Sequence, residues 1–436
     1  MGEDHGTVGR FPNAEGGSGM NFLRTALMNV GWAVGWLFWP LTKVIAWLVP
    51  QQNGLIVIGA RNGLYFMDNS RYLFEWLHEY RPQWRVVWVT WRISLVRSLR
   101  SKGHECLWMP TPRAIVTLLR AEVAIYCNRL LDVSIHPAFI ANRTKLLSLS
   151  HGVGVKAKRC TRNDSLSWPL RNELDVARRR QTLAIASSAA MAEICARSQG
   201  LSSINYHLTG YPRNDLLFND HSEGEAKWNQ VAGNRKYSRT LLYAPTWRQG
   251  GTAQFFPFTD FSITDLRRWL VKTDTLLLVR PHVKDARGAT FRDEAVEQLV
   301  EAGGEHVRAL RTDICPDCYQ IMRRVDILVT DYSSIYHDFL LLDRPILLVP
   351  YDYECYRAEN GFQYSYHENL PGPVIESLEQ FMAVLDEISE GNDLYRDSRQ
   401  NLRDRLHDIR SGDACRRVAE LVESKMLVPY SPARND

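Results

Sequence analysis

The feature that most constrains this chain is a recurring pattern of short, continuously apolar, β-branched runs that stop abruptly at polar residues. The clearest case is "VDILVTDYSSIYHDFLLLDRPILLV", Val325 to Val349. Val325 to Thr330 has the character of a strand buried on both faces, and Ile346 to Val349 repeats it after a helix-length interval. Such a strand, loop, helix, strand unit requires a parallel sheet covered on both sides. The loop after the first strand, Asp331 to Ser334, then lies at the carboxyl edge of the sheet, where ligands bind. The helix it feeds offers free backbone N–H groups and the positive end of a dipole. Two adjacent hydroxyls at that point suit a phosphate, and they equally suit a helix cap.

The same pattern runs through most of the chain. "LIVIGA", "RVVWVTW", "AEVAIYCN", "KLLSLSHG" and "TLAIASS" read as strands, with "MDNSRYLFEWLHEY" a helix between the first two. "HSEGEAKWNQVAGNRKYS" is charged and poor in aliphatics, and reads as a linker. Beyond it "TLLYAPTW", "TLLLVRPH", "VDILVTDYSS" and "PILLVPYD" resume the alternation. A chain of 436 residues is too long for one ordinary core. The reading is therefore α/β: two doubly wound Rossmann-type domains, over 51–215 and 216–436, with a cleft between them.

The first 50 residues are different. Residues 1–20 are polar and Gly-rich without periodicity, and read as disordered. Residues 21–50 are apolar around nearly the whole helical circumference, with Trp32, Trp36, Trp39 and Trp47 near one stripe. The clean run Val30 to Leu41 has twelve residues and includes Pro40, whereas a spanning helix needs about 20. An in-plane or re-entrant membrane-associating helix fits better, with tryptophans at headgroup depth and Lys43 snorkelling. The same surface could also serve self-association, so the oligomeric state stays open.

The balance of 53 Lys and Arg against 49 Asp and Glu does not call for nucleic acid. His151 to Arg180 holds eight basic residues against three acids, which favours anionic partners or a solvated loop face. Eight cysteines are scattered through strand-like and helix-like segments, as in a reduced protein. Cys315 and Cys318 form a C-x-x-C without a second pair at zinc spacing, so no metal or other cofactor is called for.

Polar groups capable of phosphate chemistry stand at four strand ends: His151 with Gly152, Thr246 with Arg248, Arg280 with His282, and Asp331 with Ser333 and Ser334. In a doubly wound architecture such ends converge on one cleft. Here a resemblance becomes specific. "SHGVGVKAKR", "TGYPRNDLLF", "LLYAPTWR", "LLVRPH", the long block from "ILVTDYSS" to "GFQYSY", "LPGP" and "SGDACRRVAELV" occur in the order seen in the CDP-glycerol glycerophosphotransferase family of teichoic acid primases and polymerases.

The resemblance covers about Leu55 to Val422 and implies a GT-B-like fold. It also implies an enzyme at the cytoplasmic face of the cell membrane, peripheral or monotopic. Such an enzyme moves glycerol phosphate from CDP-glycerol onto a hydroxyl of a lipid-linked or polymer acceptor and releases CMP. His151 matches the family's "HG" histidine and is the candidate general base. His282 and Arg280, in "RPH", face the diphosphate, with Ser333 and Ser334. Asp331 orients its loop. Arg248 is either a phosphate ligand or a salt-bridge partner. Arg213, Asn214 and Asp215 look like a hinge, and His337 with Asp338 lies on the helix after "DYSS". The sequence departs from the commonest family form at "VGVKAK" and at His337, and it does not distinguish CDP-glycerol from CDP-ribitol or a primase from a polymerase.

Overall fold

The computed structural model describes residues 39–152, 175–180, 182–199, 201–233, 235–246, 248, 253–281 and 294–427. The sequence pattern sorts these residues into two wholly parallel sheets. The first is built from β1 (Leu55–Gly59), β2 (Arg85–Thr90), β3 (Cys106–Trp108), β4 (Val123–Tyr126), β5 (Lys145–Ser148), β6 (Leu183–Ala186) and β7 (Tyr206–Leu208), in the order β3-β2-β1-β4-β5-β6-β7. The second contains β8 (Arg239–Tyr243), β9 (Thr275–Val279), β10 (Val307–Ala309), β11 (Ile327–Thr330) and β12 (Ile346–Leu348), in the order β10-β9-β8-β11-β12. In both, the strand order reverses beside the first strand. That reversal opens a crevice at the carboxyl edge.

Continuous apolar runs are needed because alternate residues of each strand enter different cores. In the first sheet Leu55, Val57, Val87 and Val89 fill one cluster, while Ile56, Ile58, Val86 and Trp88 face the other side. In the second, Leu241, Tyr243, Leu277 and Val279 are separated in the same way from Leu242, Leu276 and Leu278. The inner faces of the two sheets belong to a single hydrophobic cluster, continuous through Tyr211, Ile321, Met322 and Val418. The two halves are thus packed through one core.

The helices used below are α1 (Trp39–Leu48), α2 (Asp68–Tyr80), α3 (Ser222–Ala232), α4 (Ile335–Phe339), α5 (Arg396–Leu406) and α6 (Ala414–Lys425). The last two carry the chain back to the first half. Ser187 Oγ donates to the Leu406 carbonyl at the end of α5 (2.6 Å). Asp215 accepts the Ala414 and Cys415 N–H groups at the start of α6, both at 2.8 Å.

Helix α1 lies on the first sheet domain, where Ala46 packs against Leu119 and Ala141. Arg143 donates to the carbonyls of Ala46 and Val49 and so ties down its carboxyl end. Its other face exposes Leu41, Val44, Trp47 and Leu48, with Trp47 80% exposed. Among the described residues no helix is long and apolar enough to cross a membrane. The expected segment 21–50 lies outside the described residues up to position 38.

Candidate active site

Strand ends from both sheets surround a cavity of about 160 Å³. Arg61 follows β1, Ala244 and Pro245 follow β8, Arg280 and Pro281 follow β9, and Ser333 and Ser334 follow β11. Asp68 and Arg213 close the side belonging to the first domain, and Asp317 and Tyr319 close the other. Because the strands are parallel, their carboxyl ends all present loops to one edge. That brings together residues more than 200 positions apart.

His151 follows β5 and bonds to one of these wall residues. Its Nδ1 lies 2.8 Å from Asp68 Oδ2, and its side chain is 28% exposed where that of Asp68 is 1% exposed. The carboxylate is held from several directions. Arg61 Nη2 stands 3.0 Å from Oδ2, while Arg213 Nη1 donates to Oδ1 at 2.9 Å, as does the Asn69 N–H at 2.9 Å. Burial alone would raise the Asp68 pKa, but His151, Arg61 and Arg213 hold it well below the usual carboxylate range. Burial lowers the His151 pKa below its ordinary value, Arg61 and Arg213 push the same way, and Asp68 opposes them. The imidazole is therefore neutral near pH 7 and can accept a proton.

The backbone is unusual here. Arg61, Asn62, Asp68 and Ser150 are four of the seven non-glycine residues with positive φ among those described. Strained conformations concentrated at one place are a mark of functional sites. Gly152 explains itself in the same terms: its φ is +83°, and a Cβ would lie 2.3 Å from Arg213 Nη2.

Arg213 also crosses the seam between the halves. Its Nη2 donates to Asp338 Oδ2 (2.5 Å), and Asn214 Nδ2 donates to Oδ1 of the same residue (3.1 Å). Tyr319 O–H donates to Asp338 as well. A second seam contact joins Tyr72 O–H to Asp317 Oδ2 at 2.8 Å. Asp338 is thus a structural partner of Arg213. His337 beside it is buried against the Tyr364 hydroxyl, and burial lowers its pKa to about 3.

The remaining candidates divide. Ser333, Ser334 and Arg280 line the cavity. Arg280 donates to the carbonyls of Cys315 and Pro316, both at 2.9 Å. Those bonds fix a guanidinium in the wall, and no carboxylate is in ion-pair range among the described residues. Asp331 orients its loop: Oδ1 accepts the N–H of Thr246 (2.8 Å) and of Tyr332 (2.6 Å). Arg248 is taken up by Asp331 Oδ2 (2.8 Å) and Asp352 Oδ2 (2.6 Å), beneath the rings of Tyr332 and Tyr356. Thr246 is buried beside it. Neither residue lines the cavity. His282 lies outside the described residues. No group of three or more His, Cys, Asp or Glu is placed to hold a metal ion among the described residues, and both Cys315 and Cys318 are buried free thiols.

Sequence reasoning missed Asp68 and Arg61. The first stands at the head of a helix 83 positions before its histidine, and only the parallel-sheet topology joins them. A signal was available in "MDNSRY", where an acid stands in the first turn of the helix that follows β1.

Two parallel α/β units facing one cavity, with phosphate-capable groups at their strand ends, define a protein of GT-B-like architecture. The chain belongs to the family CDP-Glycerol:Poly(glycerophosphate) glycerophosphotransferase, which it matches over residues 41–424. It is 27% identical over 398 residues to the teichoic acid poly(glycerol phosphate) polymerase of Bacillus spizizenii, covering 86% of this chain and 93% of that one. It is 23% identical over 363 residues to the Bacillus subtilis protein of the same name, covering 78% of this chain and 45% of the relative. The chain therefore spans less than half of that relative's length. Among solved structures, the wall teichoic acid polymerase TagF superposes with a TM-score of 0.70 at 19% identity, covering 92% of this chain and 95% of that one.

Proposed function

We propose that this protein transfers glycerol phosphate from CDP-glycerol to a hydroxyl of a lipid-linked or polymer acceptor and releases CMP. Besides family membership, one observation supports the reading. A neutral histidine is bonded through Nδ1 to Asp68, a buried carboxylate in the wall of an interdomain cavity that is also lined by Arg280, Ser333 and Ser334.

In the proposed reaction His151 takes the proton of the acceptor hydroxyl through Nε2, and the oxygen attacks the β-phosphorus. The bond from that phosphorus to the bridging oxygen breaks, and its electron pair leaves on the phosphate of CMP. Positioning and charge stabilisation supply most of the catalysis in such a transfer. Arg280 holds a fixed positive charge toward the diphosphate, and the two serine hydroxyls donate to its oxygens. His282, next in the "RPH" motif, is assigned the same duty.

The exposed apolar face of α1 would rest on the cytoplasmic face of the cell membrane and keep the cavity near a lipid-linked acceptor. Co-sedimentation with vesicles, lost on replacing Trp47 and Leu48 by serine, tests that part. CMP release with CDP-glycerol, CDP-ribitol or a nucleotide sugar, each with a membrane acceptor, tests the substrate. Turnover with CDP-ribitol alone would change the polyol, and turnover with a nucleotide sugar alone would replace the reading with glycosyl transfer.

A further inference from the structure

We propose that Asp68 is the positioning residue of the reaction: it fixes the tautomer and orientation of His151 and supports the positive charge the ring acquires. The inference rests on the general-base assignment of His151 and deepens it.

A lone imidazole exchanges its proton between two nitrogens and turns about its side-chain bonds. A carboxylate bonded to Nδ1 stops both motions, because an ionised carboxylate only accepts. Asp68 is ionised, since three cationic or proton-donating side chains converge on it inside the protein. Nδ1 must therefore carry the hydrogen. Nε2 then carries no hydrogen and holds the lone pair that a base needs.

The carboxylate is itself immobile. Oδ1 is fixed by Arg213 and by the Asn69 N–H, while Oδ2 receives His151 and Arg61. Asn69 adds a second tie, since its Nδ2 donates to the carbonyls of Leu149 (3.1 Å) and Ser150 (3.0 Å), the two residues before the histidine. Asp68 keeps this place with φ +65°, a conformation disfavoured for a residue with a Cβ and tolerated best by Asn and Asp. Capping does not account for it, because the cap position of this helix is Met67, with the usual extended backbone. Among the described residues, the charged groups around the pair are Arg61 after β1, Arg213 from the segment after β7, and Asp338 on α4, which faces Arg213 across the seam. Cys127, after β4, is buried close to Asp68 with its thiol pKa pushed up, first by burial and then by that carboxylate, so it stays neutral.

The experiment compares wild type, Asp68→Asn and His151→Ala. Asparagine keeps the shape and tolerates the backbone conformation. The expected result for Asp68→Asn is a fall in kcat of about 10- to 100-fold, part of what a general base supplies, with KM for the donor within about threefold of wild type. The acid limb of its pH profile should move to lower pH, because the carboxylate that raises the histidine pKa is gone. A purely structural role would lower the amount of folded protein and leave that limb in place. In wild type, 15N NMR of the imidazole, assigned by its absence from His151→Ala, should show Nδ1 protonated and Nε2 bare near neutral pH. That readout needs no Asp68 variant to fold. An Nε2–H tautomer, or an Asp68→Asn enzyme with unchanged kcat and pH profile beside an inactive His151→Ala, would overturn the role of Asp68 alone. Near-wild-type turnover by His151→Ala would overturn the base assignment underneath it.

Discussion

Arg213 and Arg248 make an instructive pair. Each is a buried arginine held between two aspartates, and each stands near the carboxyl edge of a sheet. Arg213 joins Asp68 of the first half to Asp338 of the second and lines the cavity. Arg248 joins Asp331 to Asp352 within the second half and is covered by tyrosines. The same chemistry does two jobs, and the difference lies in what the carboxylates touch next. Asp68 goes on to His151, so the seam arginine is coupled to the proposed base. Asp331 goes on to backbone N–H groups, so the other arginine braces a loop.

Removing each arginine separates the two roles. Arg213→Met removes the cation shared by two almost wholly buried carboxylates, leaving Asp338 with the neutral donors Asn214 and Tyr319 only, and should cost about 3 to 5 kcal/mol of stability. Chemical denaturation would read that loss, and CMP release per folded molecule should fall with it. The pH dependence has a defined sign. The pKa of Asp68 is depressed in the folded state, so its contribution is present above its unfolded value and is lost as pH falls below the ordinary carboxylate range. That acid-side loss should shrink in the variant.

Arg248→Met should cost less, about 2 to 3 kcal/mol, because Asp331 keeps two backbone donors and Asp352 reaches solvent. Turnover per folded molecule should stay within about threefold of wild type. A large kcat loss at full folding would instead make Arg248 a substrate ligand.

Gly152→Ala perturbs Arg213 without removing it. The added Cβ meets Nη2 in a positive-φ backbone, and a cost of about 1 to 3 kcal/mol is expected, read as a lowered Tm.

The smallest effect is expected from Arg61→Gln, where the cation is 43% exposed. Burial is the first cause of the low His151 pKa and Arg61 the second, so removing the charge raises that pKa. The base must be neutral to act, and the acid limb of the pH profile should therefore move to higher pH. This is opposite to the shift expected for Asp68→Asn. Measuring the two profiles together sharpens the contrast between seam and loop.

This contrast also explains what could be read in the sequence. The interior strands were legible because both faces are buried, which forces unbroken apolar runs such as Leu55–Gly59 and Thr275–Val279. Edge strands β3, β7 and β10 were not read, since three residues with exposed or half-exposed positions leave no such run. The cavity residues Ser333, Ser334 and Arg280 were legible from strand-end placement. Arg248 has the same placement and faces a carboxylate pair instead, because position after a strand does not say which way a long side chain turns. Asp68 escaped because its partner is supplied by topology across 83 positions. Arg213 was legible as a junction, but its bond to the carboxylate behind His151 was not.

In the proposed reaction His151 does the proton transfer in a polyol phosphate transfer from a CDP-linked donor. The direct measurement is acceptor-dependent CMP release from CDP-glycerol by wild type and His151→Ala, with donor affinity measured alongside by calorimetry. The expected result is release by wild type, a loss of about 10²- to 10⁴-fold in the variant, and donor binding retained. Acceptor-dependent release by His151→Ala at a rate close to wild type would contradict it.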